Sequence, residues 1–95
     1  MTTYYIVKVV TKAKPNHPNT PGVENTYYYG KGETMIGYNC KDNSFSSLDV
    51  WDYTEWQVKE YGYRRLCDAK RAVKAHDRTE KYWDVTVTII AETIA

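Results

Sequence analysis

From Tyr82 to Ile94 the chain reads YWDVTVTIIAETI, with Trp83, Val85, Val87 and Ile89 on one side of an alternation and Asp84, Thr86 and Thr88 on the other. A period of two marks an extended strand with one face buried and one face wet. β-Branched residues dominate the run, and neither proline nor glycine interrupts it. Such a strand needs neighbours for its main-chain groups, so the chain must build a sheet. A second run, TYYIVKVVTKA, puts Tyr5, Val7 and Val9 opposite Lys8 and Lys12 and predicts a strand over about residues 3–13.

The rest of the chain supplies the partners. KPNHPNTPG holds three prolines, two asparagines and a glycine in nine residues, a composition that leaves an exposed loop. Glu24–Tyr29 and Thr34–Cys40 read as two strands around GKGE, where Gly30 and Gly32 can take positive φ. KDNSFSS is a polar connection. In LDVWDYTEW, Asp52 followed by Glu55 matches a capping box and predicts a short helical turn near 48–57, although Val, Trp and Tyr there suit a strand equally well. WQVKEYGY then reads as a strand, Trp56 to about Tyr63, and the main helix runs over about Arg65–Arg78. The strand–helix–strand run over 56–93 is long enough for a crossover, right-handed if its strands lie parallel. The expected fold is α+β: a mixed, mostly antiparallel sheet of four or five strands with one principal amphipathic helix packed on one face.

Length and composition limit what such a fold can hold. The 95 residues make a single domain over 1–95, enough for one core and too little for a cleft between two lobes. Hydrophobic residues at 42% and charged residues at 26% place the chain in the globular class. No stretch approaches 18 apolar residues, which argues against a membrane span, and MTTYYIVKVV reads as a strand and not as a signal peptide. Cys40 and Cys67 lie 27 positions apart without a C-x-x-C, a spacing that suits neither a zinc site nor a disulfide framework. His17, in the proline loop, has no second histidine or carboxylate cluster near it in sequence. The expectation is a reduced protein of the cytoplasm, with no cofactor and no metal.

Charge is unevenly spread beneath a net of +1. Residues 21–60 hold three lysines against seven acids, and residues 61–81 hold seven bases against three acids. In the helix, steps of 100° put Leu66, Ala69, Ala72, Val73 and His76 on one stripe and Lys70, Arg71, Lys74 and Arg78 on the opposite one. Any amphipathic surface helix produces that division. The functional alternative is a phosphate-binding ridge: Arg71, Lys74 and Arg78, at i, i+3 and i+7, span about 10 Å. Cys67 lies among the bases, where a thiol pKa can fall, but a nucleophile also needs a base and a pocket. An inert thiol is the simpler reading, as is a hydrogen-bonded semi-core role for His76.

The segment SLDVWDYTEWQVKEYGY interleaves acids with aromatics. Asp49, Asp52 and Glu55 recur every three residues, and Trp51 and Trp56 lie beside them. Tryptophan and tyrosine anchor protein interfaces and carboxylates meet basic grooves, so Asp49, Trp51, Asp52, Glu55 and Trp56 form a candidate partner-binding patch. The competing reading makes the tryptophans core beneath a loop. Ten tyrosines fit either view, since tyrosine serves strands and interfaces alike. YYYGKGE lacks the G-x-x-x-x-G-K-[ST] phosphate loop, KEYGYRR does not meet the RNA-recognition pattern, and no Ser–His–Asp set or G-x-S-x-G elbow is present.

EYGYRRLCDAKRAVKAHD followed by YWDVTVTII resembles the helix and terminal strand of small accessory proteins encoded by bacteriophages and mobile elements, over roughly residues 56–93. Some proteins of that kind inhibit host defence nucleases, the anti-CRISPR proteins among them. The resemblance implies a non-enzymatic inhibitor of a host protein or nucleoprotein complex and assigns no numbered site. The alternative is a nucleic-acid-binding module, with the basic helix face on phosphates and Tyr27–Tyr29 stacking on bases. An edge strand also leaves homodimer formation open.

Overall fold

A computed structural model describes residues 1–19, 21–41 and 50–95, with Val50 and Trp51 described in their backbone alone. Five strands and two helices follow in the order β1 (Thr2–Ala13), β2 (Glu24–Tyr29), β3 (Met35–Lys41), β4 (Val50–Trp51), α1 (Glu55–Tyr61), α2 (Leu66–His76) and β5 (Trp83–Ile94). The strands form one sheet in the order β4-β3-β2-β1-β5. Every pairing among them is antiparallel. The α+β class therefore stands, with an antiparallel sheet where a mixed one was expected.

The two strands that the alternation marks most clearly are the longest and pair with each other. β1 and β5 match residue for residue from Thr2 opposite Ile94 to Ala13 opposite Trp83. Twelve residues at about 3.4 Å each make a ribbon some 40 Å long, which accounts for a molecule measuring 45 × 27 × 17 Å. β2 covers the other side of β1 from Val7 to Lys12. Beyond it Tyr63 takes over, exchanging both main-chain hydrogen bonds with Tyr5 at 2.8 Å.

Consecutive strand residues point to opposite faces, yet Ile6 and Val7 are both fully buried. The sheet is therefore covered on both faces at this point. α2 lies over the Val7 face: its buried residue is Ala69, and its His76 ring stacks on Tyr29, the partner of Val7, at 4.6 Å. α1 lies toward the Ile6 face. Its buried residue is Val58, and Gly62, just past it, packs on Tyr4 so closely that an added Cβ would sit 2.9 Å from the Tyr4 Cβ.

The predicted strand over 56–63 is a correction: residues 56–61 belong to α1, and only Tyr63 pairs with a strand, bridging to Tyr5. A capping box starts the helix, with the Gln57 N–H donating to Thr54 Oγ1 at 3.4 Å and the Thr54 N–H donating to Gln57 Oε1 at 2.9 Å. The box lies two residues beyond the expected Asp52–Glu55 pair. Burial follows the helix and not the strand, since Val58 is buried while Trp56, which an extended chain would place on the same side, is exposed. With a helix there, the parallel crossover over 56–93 disappears, and the single principal helix becomes two. α2 matches the expected Arg65–Arg78 helix but ends at His76. Of its apolar stripe, Leu66 stays 40% exposed.

The connection after β2 also differs in detail. It is a turn of 3-10 helix, Lys31–Glu33, in which Gly32 (φ 66°) and Glu33 (φ 58°) take left-handed conformations. Gly30 has φ −110° and serves close approach instead, because a Cβ there would meet the Tyr61 carbonyl oxygen at 2.5 Å. KDNSFSS beyond Lys41, and the residues before Val50 in the predicted turn, lie outside the described residues.

Two substitutions test this packing. Ile6→Ala should lower the unfolding free energy by about 2–5 kcal/mol, the range for a large-to-small change in a closed core. Gly62→Ala has no unfavourable φ to blame, and the clash with the Val58 carbonyl at 2.5 Å should cost about 1–3 kcal/mol. Urea titration followed by tryptophan fluorescence measures both.

Candidate functional site

α1 carries the acidic-aromatic patch. Asp52, Glu55, Trp56 and Glu60 are all exposed, and Trp56 retains 61% of its accessible surface. Its ring lies 6.4 Å from that of Tyr61 at a tilt of 55°. Glu55 in the first turn meets the positive end of the helix and pairs with Lys59 at 3.5 Å. Asp52, Glu55 and Trp56 are thus all exposed, at the start of α1 and just before it. Asp49 lies outside the described residues, and the Trp51 side chain likewise, its backbone pairing with Tyr38 at the β4 edge.

The segment leading into α1 is pinned across the sheet. Tyr53 lies edge-on to Tyr28 at 5.1 Å and donates its hydroxyl hydrogen to Glu92 Oε1 at 2.5 Å. Burial, then this hydrogen bond and the Glu92 charge, push the Tyr53 phenol well above its ordinary value. The patch is held at the Tyr53 end and again at Gly62.

The basic side of α2 is less uniform than its spacing suggested. Lys70 and Lys74 are exposed, with no ion pair among the described residues. Arg71 is exposed but reaches Asp68 at 3.8 Å. Asp68 also accepts a two-pronged contact from Arg65, at 3.0 and 3.2 Å, and its carboxyl is held below the ordinary value chiefly by that hydrogen bond. Arg78 is not on the helix, which ends two residues earlier, and its Nε donates to Glu80 at 2.6 Å. The expected ridge at i, i+3 and i+7 therefore keeps its first two members on α2, and the third turns away to a carboxylate.

Strand alternation likewise divides the three tyrosines of β2. Tyr27 and Tyr29 share the α2 face, their rings 6.2 Å apart, while Tyr28 faces Tyr53 on the other side. His76 covers Tyr29, and Tyr38 lies beside Tyr27 at 5.1 Å, with its hydroxyl donating to Asn25 Oδ1. Burial and the Tyr27 hydroxyl raise the Tyr29 pKa. Beyond the end of α2 these rings border a cleft of about 340 Å³ with Thr11 and Asn25 in its lining and Arg78, Glu80 and Trp83 along it. Sequence reasoning missed this cleft, because its lining runs from residue 9 to residue 83. The one available signal was the shared parity of Asn25, Tyr27 and Tyr29.

Cys40 is buried and Cys67 exposed, both as free thiols. No group of three or more His, Cys, Asp or Glu side chains converges among the described residues. His17 meets Trp83 edge-on at 5.0 Å and accepts a hydrogen bond from the Asn19 N–H. No helix among the described residues is long and apolar enough to cross a membrane.

Neither a protein-family model, nor a curated protein, nor a solved structure matches the chain. Function therefore has to be argued from these surfaces.

The perturbed tyrosines make one pH dependence explicit. Tyr29, Tyr53 and Tyr63 all have raised pKa values, with burial the leading cause in each. Tyrosines of the unfolded chain ionise near pH ~10, so above that pH the unfolded state has released protons that the native state still holds. Stability contributed by these groups is complete below pH ~10 and falls as pH rises further. Urea titrations from pH 8 to 11 should show this decline, and Tyr53→Phe should make it shallower.

Proposed function

We propose that the chain is a non-enzymatic binding protein that docks through α1 onto a basic groove of a partner protein. The observation that carries this reading is Trp56, 61% exposed on a helix whose start is fixed by a capping box. An indole left in water forgoes a large burial free energy that a partner pocket would recover. A pre-formed helix also lowers the ordering cost of binding. The partner's chemistry follows from the charge of this segment: within residues 52–60, Asp52, Glu55 and Glu60 are exposed with one base, Lys59, so the complementary rim is basic.

For the partner itself we take a nucleic-acid-handling defence nuclease complex of a bacterial host, whose channels are basic. The protein would act there as a bacteriophage inhibitor in the host cytoplasm. That choice of target rests on the resemblance of residues 56–93 to small phage accessory proteins, and the geometry contributes the surface chemistry. The nucleic-acid-binding alternative keeps Lys70 and Lys74 as exposed cations without an ion pair among the described residues, but loses Arg78 to Glu80 and divides Tyr28 from Tyr27 and Tyr29. It is the weaker reading.

The test is equilibrium binding to purified RNA-guided nuclease complexes, alongside naked single- and double-stranded DNA and RNA at two salt concentrations. Trp56→Ala should weaken binding to the complex by roughly 30-fold or more, as expected for an interface anchor. Asp52→Lys with Glu55→Lys should slow association and reduce its salt dependence. Unchanged affinity in a folded Trp56→Ala variant would overturn the assignment. Salt-steep binding to naked nucleic acid, lost on replacing Lys70, Arg71, Lys74 and Arg78, would put the nucleic-acid module in its place.

A further inference from the structure

The outer side of β5 is a strand edge that carries no lysine, proline or bulge. β5 ends the sheet order, and among the described residues its only strand partner is β1. Which of its main-chain groups are spare follows from the register. The Lys14 N–H donates to the Tyr82 carbonyl at 2.8 Å, continuing the β1–β5 ladder by one pair. In an antiparallel ladder the hydrogen-bonding direction alternates along each strand. Asp84, Thr86, Thr88, Ile90 and Glu92 therefore direct their N–H and C=O groups at β1, and Val85, Val87, Ile89, Ala91 and Thr93 direct theirs outward. Tyr5 agrees with this alternation, since it bonds to Tyr63 on the side of β1 away from β5.

Natural edges are blunted by lysines, prolines, bulges or shortness. β5 is twelve residues long, contains no lysine, arginine or proline, and pairs with β1 without a register shift. The opposite edge, β4, has two residues. Charge on β5 is confined to Asp84 and Glu92, near its two ends.

We infer that this edge pairs with β5 of a second copy, joining two sheets into one continuous antiparallel sheet about a two-fold axis. A two-fold perpendicular to the sheet preserves its faces, so outward-directed residues must pair with outward-directed residues. A register centred on Ile89 meets that condition: Val87 lies opposite Ala91 and Val85 opposite Thr93. It also sets Asp84 opposite Ile94 and Glu92 opposite Thr86, so that no two acids meet, whereas centring on Thr88 would oppose Asp84 to Glu92. The strand is self-complementary in one register and self-repelling in the next. About ten main-chain hydrogen bonds would form across the axis. This inference is independent of what α1 binds.

Sedimentation equilibrium of the whole chain over a range of concentrations tests it. The wild type should give twice the 11.1 kDa chain mass. Val87→Pro removes only an outward-directed donor and should leave a monomer. Thr88→Lys, at an exposed side chain, should do the same without touching the backbone. Circular dichroism checks that each variant is folded. In the wild type, amide exchange at Val87, Ile89 and Ala91 should slow as concentration rises, while Thr86 and Thr88 stay equally protected throughout. A wild type that remains monomeric at its highest soluble concentration would overturn the proposal. So would a folded Thr88→Lys variant that still dimerises, or outward amides whose exchange ignores concentration.

Discussion

The unbroken pairing of β1 with β5 is the constraint on which the rest of the structure depends. It joins the two ends of the sequence, sets the length of the molecule and leaves β1 central. Once β1 is central, two helices of seven and eleven residues suffice to close a core around Ile6 and Val7. Neither helix is long enough to be stable alone in water, so each is held by what it covers. The core is correspondingly thin, and much of the strand ribbon extends past it with only half-buried side chains.

That thinness explains where the candidate surfaces lie. The helices divide the charges between them, with α1 exposing Asp52, Glu55 and Glu60 beside it and α2 exposing Lys70 and Lys74. Many of the tyrosines are engaged in the sheet: Tyr27, Tyr29 and Tyr38 make a ring cluster on one face, while Tyr28 and Tyr53 meet on the other. Among the described residues, the large aromatic left without cover is Trp56. What this architecture offers a partner is mostly open surface and shallow grooves, among them the polar cleft where α2 stops short of the sheet's end.

The GKGE turn marked β2 and β3, whose burial does not alternate, and period-two alternation made β1 and β5 legible to within about a residue at each end. The same rule misread Trp56–Tyr63. Apolar residues at 56, 58 and 61 fit a strand and a helix nearly as well, and the helix start was marked by Thr54 with Gln57, a Ser/Thr-x-x-Glu/Gln pair two residues beyond Asp52 with Glu55. The exposed state of Trp56 could not be read from the sequence, since it depends on which side of α1 meets Tyr4 and Ile6. Arg78 was placed on the basic ridge by angular arithmetic that assumed two more helical residues than exist. Its pairing with Glu80 follows from that early stop. The spare edge of β5 was anticipated only as a general property of sheets, because no pattern in one strand says which side its neighbour will take.

The pairing of Thr2 with Ile94 has a mechanical consequence. These residues sit side by side at one end of the longest ribbon in the molecule, so a load applied between them peels β1 from β5 one hydrogen-bonded pair at a time. Such loading spares the simultaneous rupture that shear would demand. Heat and denaturant act on every part of a small domain at once, whereas tension along this line would load one end of the ribbon first. The next fastening it would meet is the hydroxyl hydrogen bond between Thr3 and Thr93 at 3.1 Å, and after it Tyr4 with Glu92, where Tyr53 holds the carboxylate from across the face.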